Sequence, residues 1–279
     1  MDTAKLPEER NHAVTWEEFL AEVTALRKPD TRILFRGQGD GSWSLATTLE
    51  RRGKVRMPIA DYYRILAVRV KPEVESFTGF KWEVPPYPEV AKRLEEYDGF
   101  SLDMTFQGIP AYAYLSYARH HGFPSPLLDW TRSPYIAAYF AFAARKEDAS
   151  VPTRSIYAWF QPDINPGGTD EPEVRRLGPF VSTHRRHFLQ QADYTVCTQF
   201  STSDNTWRFV PHQGAEVMSG AVRVRKFILA SSERVKVLSF LNDFNLTGFS
   251  LFGTEEALME TLAARELDGL PPAANSRRD

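Results

Sequence analysis

The sequence predicts an α+β protein, because helical and strand-like periodicities both occur along one chain of ordinary globular composition. Of its 279 residues, 42% are apolar and 25% are charged, with 19 Phe, 11 Tyr and 6 Trp available for a core. Helical patterns dominate the first half and most strand patterns fall in the second, which is typical of an α+β arrangement.

The charge and the cysteine content of the chain limit the cellular environments and binding partners that we expect. The net charge of −2 gives no strong signal for a nucleic-acid or membrane partner, and no apolar run approaches the roughly 20 residues of a membrane-spanning helix. The polar N-terminus is unlike a secretory signal peptide. Cys197 is the single cysteine, so an internal disulfide is excluded. We expect a cytoplasmic protein.

The first half of the chain reads as helices with one early strand. Residues 1–29 form a loose lead-in and then a helix, which starts at a capping box of Thr15 and Glu18. Residues 33–35 read as a short strand, and residues 43–49 as a strand or extended segment. Further helices are predicted over residues 59–77, 89–97 and 110–122, with a proline-rich loop over residues 82–88 and Gly122 as a C-cap.

The second half alternates strands with helices. Alternating side chains predict strands over residues 155–160, 185–199 and 221–229. Apolar side chains at helical spacing predict helices over residues 233–244 and 254–267. Residues 161–182 are rich in Pro, Gly and acidic residues, which predicts a long loop. The tail over residues 269–279 is predicted to be disordered.

Residues 127–144 combine a polar start with an apolar helix. Ser133 is a good N-cap and Pro134 fits the first helical position, while the residues that follow are apolar on every side and predict a buried helix. Asp129, Trp130 and Thr131 stand at the mouth of this helix, where anions such as phosphate are attracted. Capping and core packing explain the same pattern without a ligand.

Arg36 ends the first strand and is followed by three closely spaced glycines. Glycine lets a backbone approach a ligand closely, and arginine donates to phosphate in a fixed fork. The segment is neither a Walker loop nor a complete dinucleotide fingerprint. The alternative is a tight hairpin turn with a surface arginine.

The histidines give no catalytic or metal motif of their own. His120 and His121 close a helix, where the helix dipole favours them. No zinc-binding helix motif is present, so we expect no metal. Residues 184–187 form a basic patch, which is either a solvated face or part of a site with the following Gln190 and Gln191.

Together these segments resemble the FRG domain family. Phe35-Arg36-Gly37-Gln38, Trp43-Ser44-Leu45, His120-x-Gly122-x-Pro124 and the stretches 127–131 and 137–141 carry the resemblance. Arg186, Gln190, Ala192 and Tyr194 are similar to the family's Arg-x-x-x-Gln-x-Gly-x-Phe element, and residues 245–252 to its closing segment. Arg119 stands where the family often has Gln. The resemblance implies one FRG-like domain over residues 30–268.

The order of parts also resembles, more weakly, mono-ADP-ribosyltransferases of the Arg-Ser-Glu type. That resemblance implies a single domain with a central, mostly antiparallel split sheet flanked by helices, and NAD as substrate. Arg36 would take the first catalytic position, Thr131 with Ser133 the second, and Gln190 or Gln191 the third. Glutamine lacks the negative charge of the family's glutamate, so either Asp129 or a glutamate elsewhere such as Glu216 supplies it, or the site binds without reacting. The implied NAD-binding residues are Arg36, Gly37, Gln38, His120, Trp130, Ser133 and Gln191, with Trp130 or a nearby aromatic stacking on the nicotinamide.

Two classes of function follow. One is an ADP-ribosyltransferase-like enzyme that cleaves the nicotinamide–ribose bond of NAD and modifies a macromolecular target, as a bacterial toxin or phage-defence effector would. The other is a non-catalytic nucleotide-binding or protein-interaction module, which the missing glutamate favours. A plain structural domain, whose motifs serve only packing and capping, is the third interpretation.

Overall fold

An eight-stranded sheet forms the centre of the computed structural model, which describes residues 13–27, 32–95, 109–143, 151–160, 170–179, 181, 185–212, 217–218, 221–222, 224–267 and 270. Its strands are β1 (Ile33–Gln38), β2 (Met57–Pro58), β3 (Leu128–Thr131), β4 (Thr153–Phe160), β5 (Glu173–Arg176), β6 (Ala192–Ser201), β7 (Thr206–Phe209) and β10 (Val224–Ala230). The order is β10-β4-β1-β3-β6-β7-β2, with β5 also paired to β6, and a separate pair joins β8 (Val217–Met218) to β9 (Ala221–Val222). All these pairings are antiparallel, which confirms an α+β fold with a mostly antiparallel sheet.

Helices flank the sheet. They are α1 (Trp16–Leu26), α2 (Thr48–Arg51), α3 (Ile59–Arg64), α4 (Lys71–Thr78), α5 (Tyr87–Glu95), α6 (Tyr112–His120), α7 (Pro134–Phe142), α8 (Arg185–Leu189), α9 (Arg234–Asp243), α10 (Gly248–Phe252) and α11 (Glu255–Glu266). A π-helical turn, Ile65–Val70, joins α3 to α4, so the helix predicted over residues 59–77 is present with a bulge inside it. Within the described residues, no helix has both the length and the apolar character needed to cross a membrane.

The predicted helix caps are present. Thr15 and Glu18 form the capping box of α1, and Ser133 accepts a hydrogen bond from the amide of Ile136 with Pro134 in the first turn of α7. Gly122 follows the C-cap of α6 with a φ of 84°, a backbone conformation in which glycine carries little strain. These signals act within a few residues, which is why the sequence suffices to find them.

The sheet is nearly divided between β1 and β3. The two strands share a single register pair, Phe35 with Thr131, whereas β1 pairs with β4 over six positions. Each half of the sheet has its own hydrophobic core, one under α1, α7 and α9 and the other under α3 and α6. The narrow junction of β1 and β3 is called the seam below.

Gly37 allows helix α7 to lie directly on β1. A Cβ atom at Gly37 would lie 1.8 Å from the main-chain oxygen of Ala137 and 2.7 Å from the main-chain nitrogen of Ala141. Main-chain atoms inside a helix cannot move aside, so only glycine fits this position. The buried helix predicted from its all-round apolar sequence is therefore packed against the strand that carries Arg36.

Three predicted segments differ in the structure. Residues 185–189 form helix α8 rather than the start of a strand, and residues 48–51 form helix α2 with a capping box of Thr47 and Glu50. Part of the predicted loop over residues 161–182 forms β5, which pairs with β6. These elements are only four or five residues long, so their periodicity is too brief to separate helix, strand and loop.

The predicted N-terminal lead-in and C-terminal tail lie mostly outside the described residues. Of the tail over residues 269–279 the structure describes Leu270 alone, which is buried in the first core. Within residues 1–29, helix α1 contributes Trp16 and Phe19 to that same core, and Val14 bridges to Leu229 of β10.

Candidate functional site

A cleft of about 550 Å³ opens beside the seam, at the C-terminal end of β1. Its walls come from β1 and β3, from α2 and α6 on one side, and from α8 and α10 on the other. Eight of the residues predicted to form a site line this cleft: Arg36, Gly37, Gln38, His120, Asp129, Trp130, Thr131 and Gln190. Arg36, His120, Asp129 and Gln190 therefore share one cavity, although 154 positions separate the first from the last.

Asp129 is held between two arginines in this cleft. Arg36 Nη1 donates to the main-chain carbonyl of Asp129 at 2.7 Å and lies 2.9 Å from its Oδ1. Arg119 Nη2 donates to the same carboxylate oxygen. The side chain of Asp129 keeps 45% of its surface accessible, while those of Arg36 and Arg119 keep 11% and 14%. The carboxylate thus faces the cleft with both guanidinium groups beside it.

The two arginines keep Asp129 ionised. Burial by itself would raise the pKa of this carboxyl, but the charges of Arg119 and Arg36 and the hydrogen bond from Arg119 outweigh burial and hold the pKa well below its usual value. Arg51 lies close to the same group: burial, followed by the like charges of Arg36 and Arg119, lowers its pKa. Three arginines therefore gather around one carboxylate.

Hydrogen bonds connect Thr131 and Gln190 to each other and to main-chain groups of neighbouring residues. The hydroxyl of Thr131 donates to the carbonyl of Gln190 at 2.8 Å and accepts from the amide of Ser133 at 3.2 Å. The side-chain amide of Gln190 donates to the carbonyl of Leu251 at 3.2 Å. These bonds join the end of β3 to the turn before β6 and to α10. The buried Thr131 hydroxyl is thereby committed to structural contacts.

His120 and Gln38 are positioned by bonds to neighbouring walls. Nε2 of His120 lies 3.1 Å from the hydroxyl of Tyr194, a residue of β6 whose pKa burial raises to about 12. The amide of Gln38 donates to the carbonyl of Ser44 at 3.1 Å and so ties β1 to the loop that carries Trp43. Each contact holds one rim of the cleft.

Trp130 lies in the floor of the cleft with its ring in the core. Only 4% of Trp130 is exposed, and its indole N–H donates to Thr195 Oγ1 at 2.8 Å. Thr195 Oγ1 also lies 3.0 Å from Nε2 of the buried His212. This network leaves little of the Trp130 ring for stacking on a ligand. Trp43, which is 54% exposed and also lines the cleft, offers the accessible aromatic surface.

Two of the predicted binding residues do not line the cleft, and a third lines it without contributing a side chain. Ser133 is buried as the cap of α7 and does not line the cleft. Gln191, in the turn before β6, is exposed, has a φ of 47° and does not line the cleft either. Gly37 lines the cleft, but its missing side chain makes room for α7 rather than for a ligand.

The basic patch predicted over residues 184–187 is divided by helix α8. Arg186 lines the cleft and lies over the ring of Phe252, 5.4 Å from its centroid. His187 is buried and its Nε2 donates to the carbonyl of Pro179 at 2.8 Å. Arg185 is exposed, and His184 lies outside the described residues, as does Glu216.

Sequence reasoning missed Arg51, Arg119 and Trp43 as parts of the site. Arg119 was noticeable only because it departs from the FRG pattern, and nothing near Arg51 distinguishes it from a surface arginine. Both reach the cleft because α2 and α6 pack beside the N-terminal end of β3; Thr48 accepts a hydrogen bond from Arg119 at 2.9 Å. Among the described residues, no group of three or more His, Cys, Asp or Glu side chains is arranged to hold a metal ion.

Fold and cleft together define an α+β protein with an arginine-lined cavity at the seam of its sheet. Residues 31–150 match the family model of the FRG domain. The matched stretch contains Arg36, Arg51, Arg119 and Asp129. Neither a curated protein nor a solved structure matches the chain, so the resemblance to ADP-ribosyltransferases is not confirmed.

Proposed function

We propose that the cleft binds a nucleotide through its phosphates, with NAD as the candidate dinucleotide. The observation that carries this proposal is the charge of the lining: among the described residues it contains Arg36, Arg51, Arg119 and Arg186 but a single carboxylate, Asp129. Guanidinium groups match the oxygen geometry of phosphate, and their attraction is stronger in a recessed site than in open water.

The volume and the aromatic rim fit the rest of such a ligand. A cavity of about 550 Å³ lies in the usual range of small-molecule sites. Trp43 presents an exposed indole at the edge of the cleft, on which a base or a nicotinamide ring would stack. His120 and Gln190 add hydrogen-bonding groups for ribose hydroxyls.

ADP-ribosyl transfer is the second candidate, supported by the presence of Arg36, Thr131 and Gln190 in one cleft. In that reaction the bond from ribose C1′ to nicotinamide breaks, the electron pair leaves with nicotinamide, and an acceptor nucleophile bonds to C1′ and releases its proton. The positive charge that develops on the ribose needs a negative neighbour. Asp129 is the carboxylate in the described lining, and two guanidinium groups already balance its charge, so binding is the better supported function.

Calorimetry with NAD, ADP-ribose and ATP, together with chromatography of NAD after long incubation, tests both candidates. We expect binding that weakens at least tenfold in Arg36→Ala and remains unchanged in Arg69→Ala, an exposed arginine outside the cleft. Intact NAD alongside binding supports the non-catalytic module. Release of nicotinamide that disappears in a folded Asp129→Asn protein supports the enzyme. Absence of binding by all three ligands at millimolar concentration overturns the proposal.

A further inference from the structure

A second arginine-lined cavity lies at the opposite end of the seam. It measures about 710 Å³. Its walls are the start of β1 with Arg32 before it, Arg27 after α1, Arg132 after β3, and residues 176–179 at and beyond the end of β5. It shares Phe35 with the first cleft. Because β1 and β3 are in register only at Phe35 and Thr131, the seam is open on both sides of that pair, with one cavity at each end.

Three arginines of this second cavity have no counter-charge among the described residues. Arg176 is bound to the buried Asp193, with its Nε at 2.9 Å and its Nη2 at 2.5 Å from Oδ2. Arg27, Arg32 and Arg132 are exposed, and their guanidinium groups have no ion-pair or hydrogen-bond partner among the described residues. The described lining contains no carboxylate, so that part of the cavity wall is positively charged.

The size and lining of the cavity indicate an extended polyanion. One phosphate would fill a small part of about 710 Å³. Three guanidinium groups that have no partner within the described part of the chain suit a ligand with several phosphates. The described lining offers no exposed aromatic ring, since Phe35 is buried, so stacking on bases is not provided. Contacts to a phosphate backbone are what this surface can supply.

We propose that the second cavity binds the phosphodiester backbone of a single nucleic-acid strand without base specificity. The three arginines stand at positions 27, 32 and 132, and only the folding of α1 and β3 around β1 brings them together. Although the whole chain has a net charge of −2, the described lining of this cavity forms a local positive surface. This inference stands independently of the ligand in the first cleft.

Fluorescence anisotropy of the full chain with a labelled single-stranded oligonucleotide, measured from 50 to 200 mM salt, tests the proposal. The triple variant R27A/R32A/R132A should bind at least tenfold more weakly than the unmodified protein. Its log–log salt slope should be smaller in magnitude by about 2, since each neutralised phosphate of a single strand contributes about 0.7. The variant R52A/K54A/R69A, which loses the same charge from exposed residues outside both cavities, should retain affinity and slope.

A charge-conserving variant and a competition experiment serve as controls. R27K/R32K/R132K, which keeps the charge, should recover most of the salt slope, and thermal melting should show all variants folded. A polyglutamate peptide should compete poorly with the oligonucleotide. No binding by the unmodified protein, equal losses in the two alanine triples, or stronger binding of polyglutamate would each overturn the proposal, the last in favour of an acidic protein partner.

Discussion

Arg36 contacts Asp129 at two atoms: its Nη1 donates to the main-chain carbonyl at 2.7 Å and lies 2.9 Å from the carboxylate. Arg119 contacts the same carboxylate from α6. Asp129 therefore acts as the counter-ion that keeps the two arginines together in the wall of the cleft. This role differs from that of a catalytic carboxylate, and the two roles predict opposite effects of substitution.

Asp129→Asn should bind nucleotides more tightly and be less stable. Removing the counter-charge leaves Arg36 and Arg119 available to the ligand, so affinity should rise several-fold in calorimetry. Loss of the two charged contacts should lower the free energy of unfolding by about 1–3 kcal/mol, measured by urea denaturation. Weaker nucleotide binding by a folded Asp129→Asn protein would show instead that the carboxylate contacts the ligand directly.

Trp43→Ala should weaken nucleotide binding about tenfold without changing stability, because stacking is worth about 1–3 kcal/mol and the Trp43 side chain is mostly exposed. Trp43→Phe should restore part of the affinity. Calorimetry and thermal melting measure the two effects. Unchanged affinity in Trp43→Ala would place the aromatic part of the ligand elsewhere.

Thr131→Val should destabilise the fold by about 1–3 kcal/mol, because the carbonyl of Gln190 and the amide of Ser133 each lose a buried partner. Thr131→Ser, which keeps the hydroxyl, should lose less stability. Denaturant melts of both variants check the difference. If Thr131→Val were as stable as the unmodified protein but unable to turn over or bind NAD, the hydroxyl would act on the ligand.

Gly37→Ala should prevent folding or cost several kcal/mol, since its Cβ would lie 1.8 Å from the main chain of α7. Gly53→Ala is the matched control. Gly53 has a φ of 77° and open space around it, so alanine there should cost only about 1–2 kcal/mol of backbone strain. Circular dichroism melts distinguish the two, and equal losses would mean that β1 and α7 can separate at little cost.

Stability should fall as the pH decreases from about 6.5 towards 3, with His212 as one contributor. Burial, followed by the charge of Arg36, lowers the pKa of His212 to about 3, while an unfolded histidine titrates near 6.5. Between these values the unfolded chain binds a proton that the folded protein excludes, so acid favours unfolding. His212→Gln should show a shallower decline in urea midpoints over this range. Parallel curves for the two proteins would contradict this assignment.

Several features of the fold followed from sequence because their causes are local. The capping box of Thr15 and Glu18, the cap at Ser133 and the buried helix α7 each depend on neighbours within about one or two turns. By contrast, α8 and β5 were missed, since five and four residues carry too little periodicity and both depend on pairing or packing with β6.

The chain by itself determined that a strand begins at Ile33 and leads into Arg36, that an apolar helix follows Ser133, and that helices and strands combine in an α+β fold. The strand extends to Gln38, two residues past the predicted end, because β1 pairs with β4 over that stretch. Only the tertiary structure decided what those residues face. Arg36 and Asp129 are 93 positions apart, and their contact exists because β1 and β3 meet at one register pair while α7 lies on Gly37. The same seam gathers arginines from distant segments into two cavities, because long-range strand pairing brings together residues that local propensities cannot link.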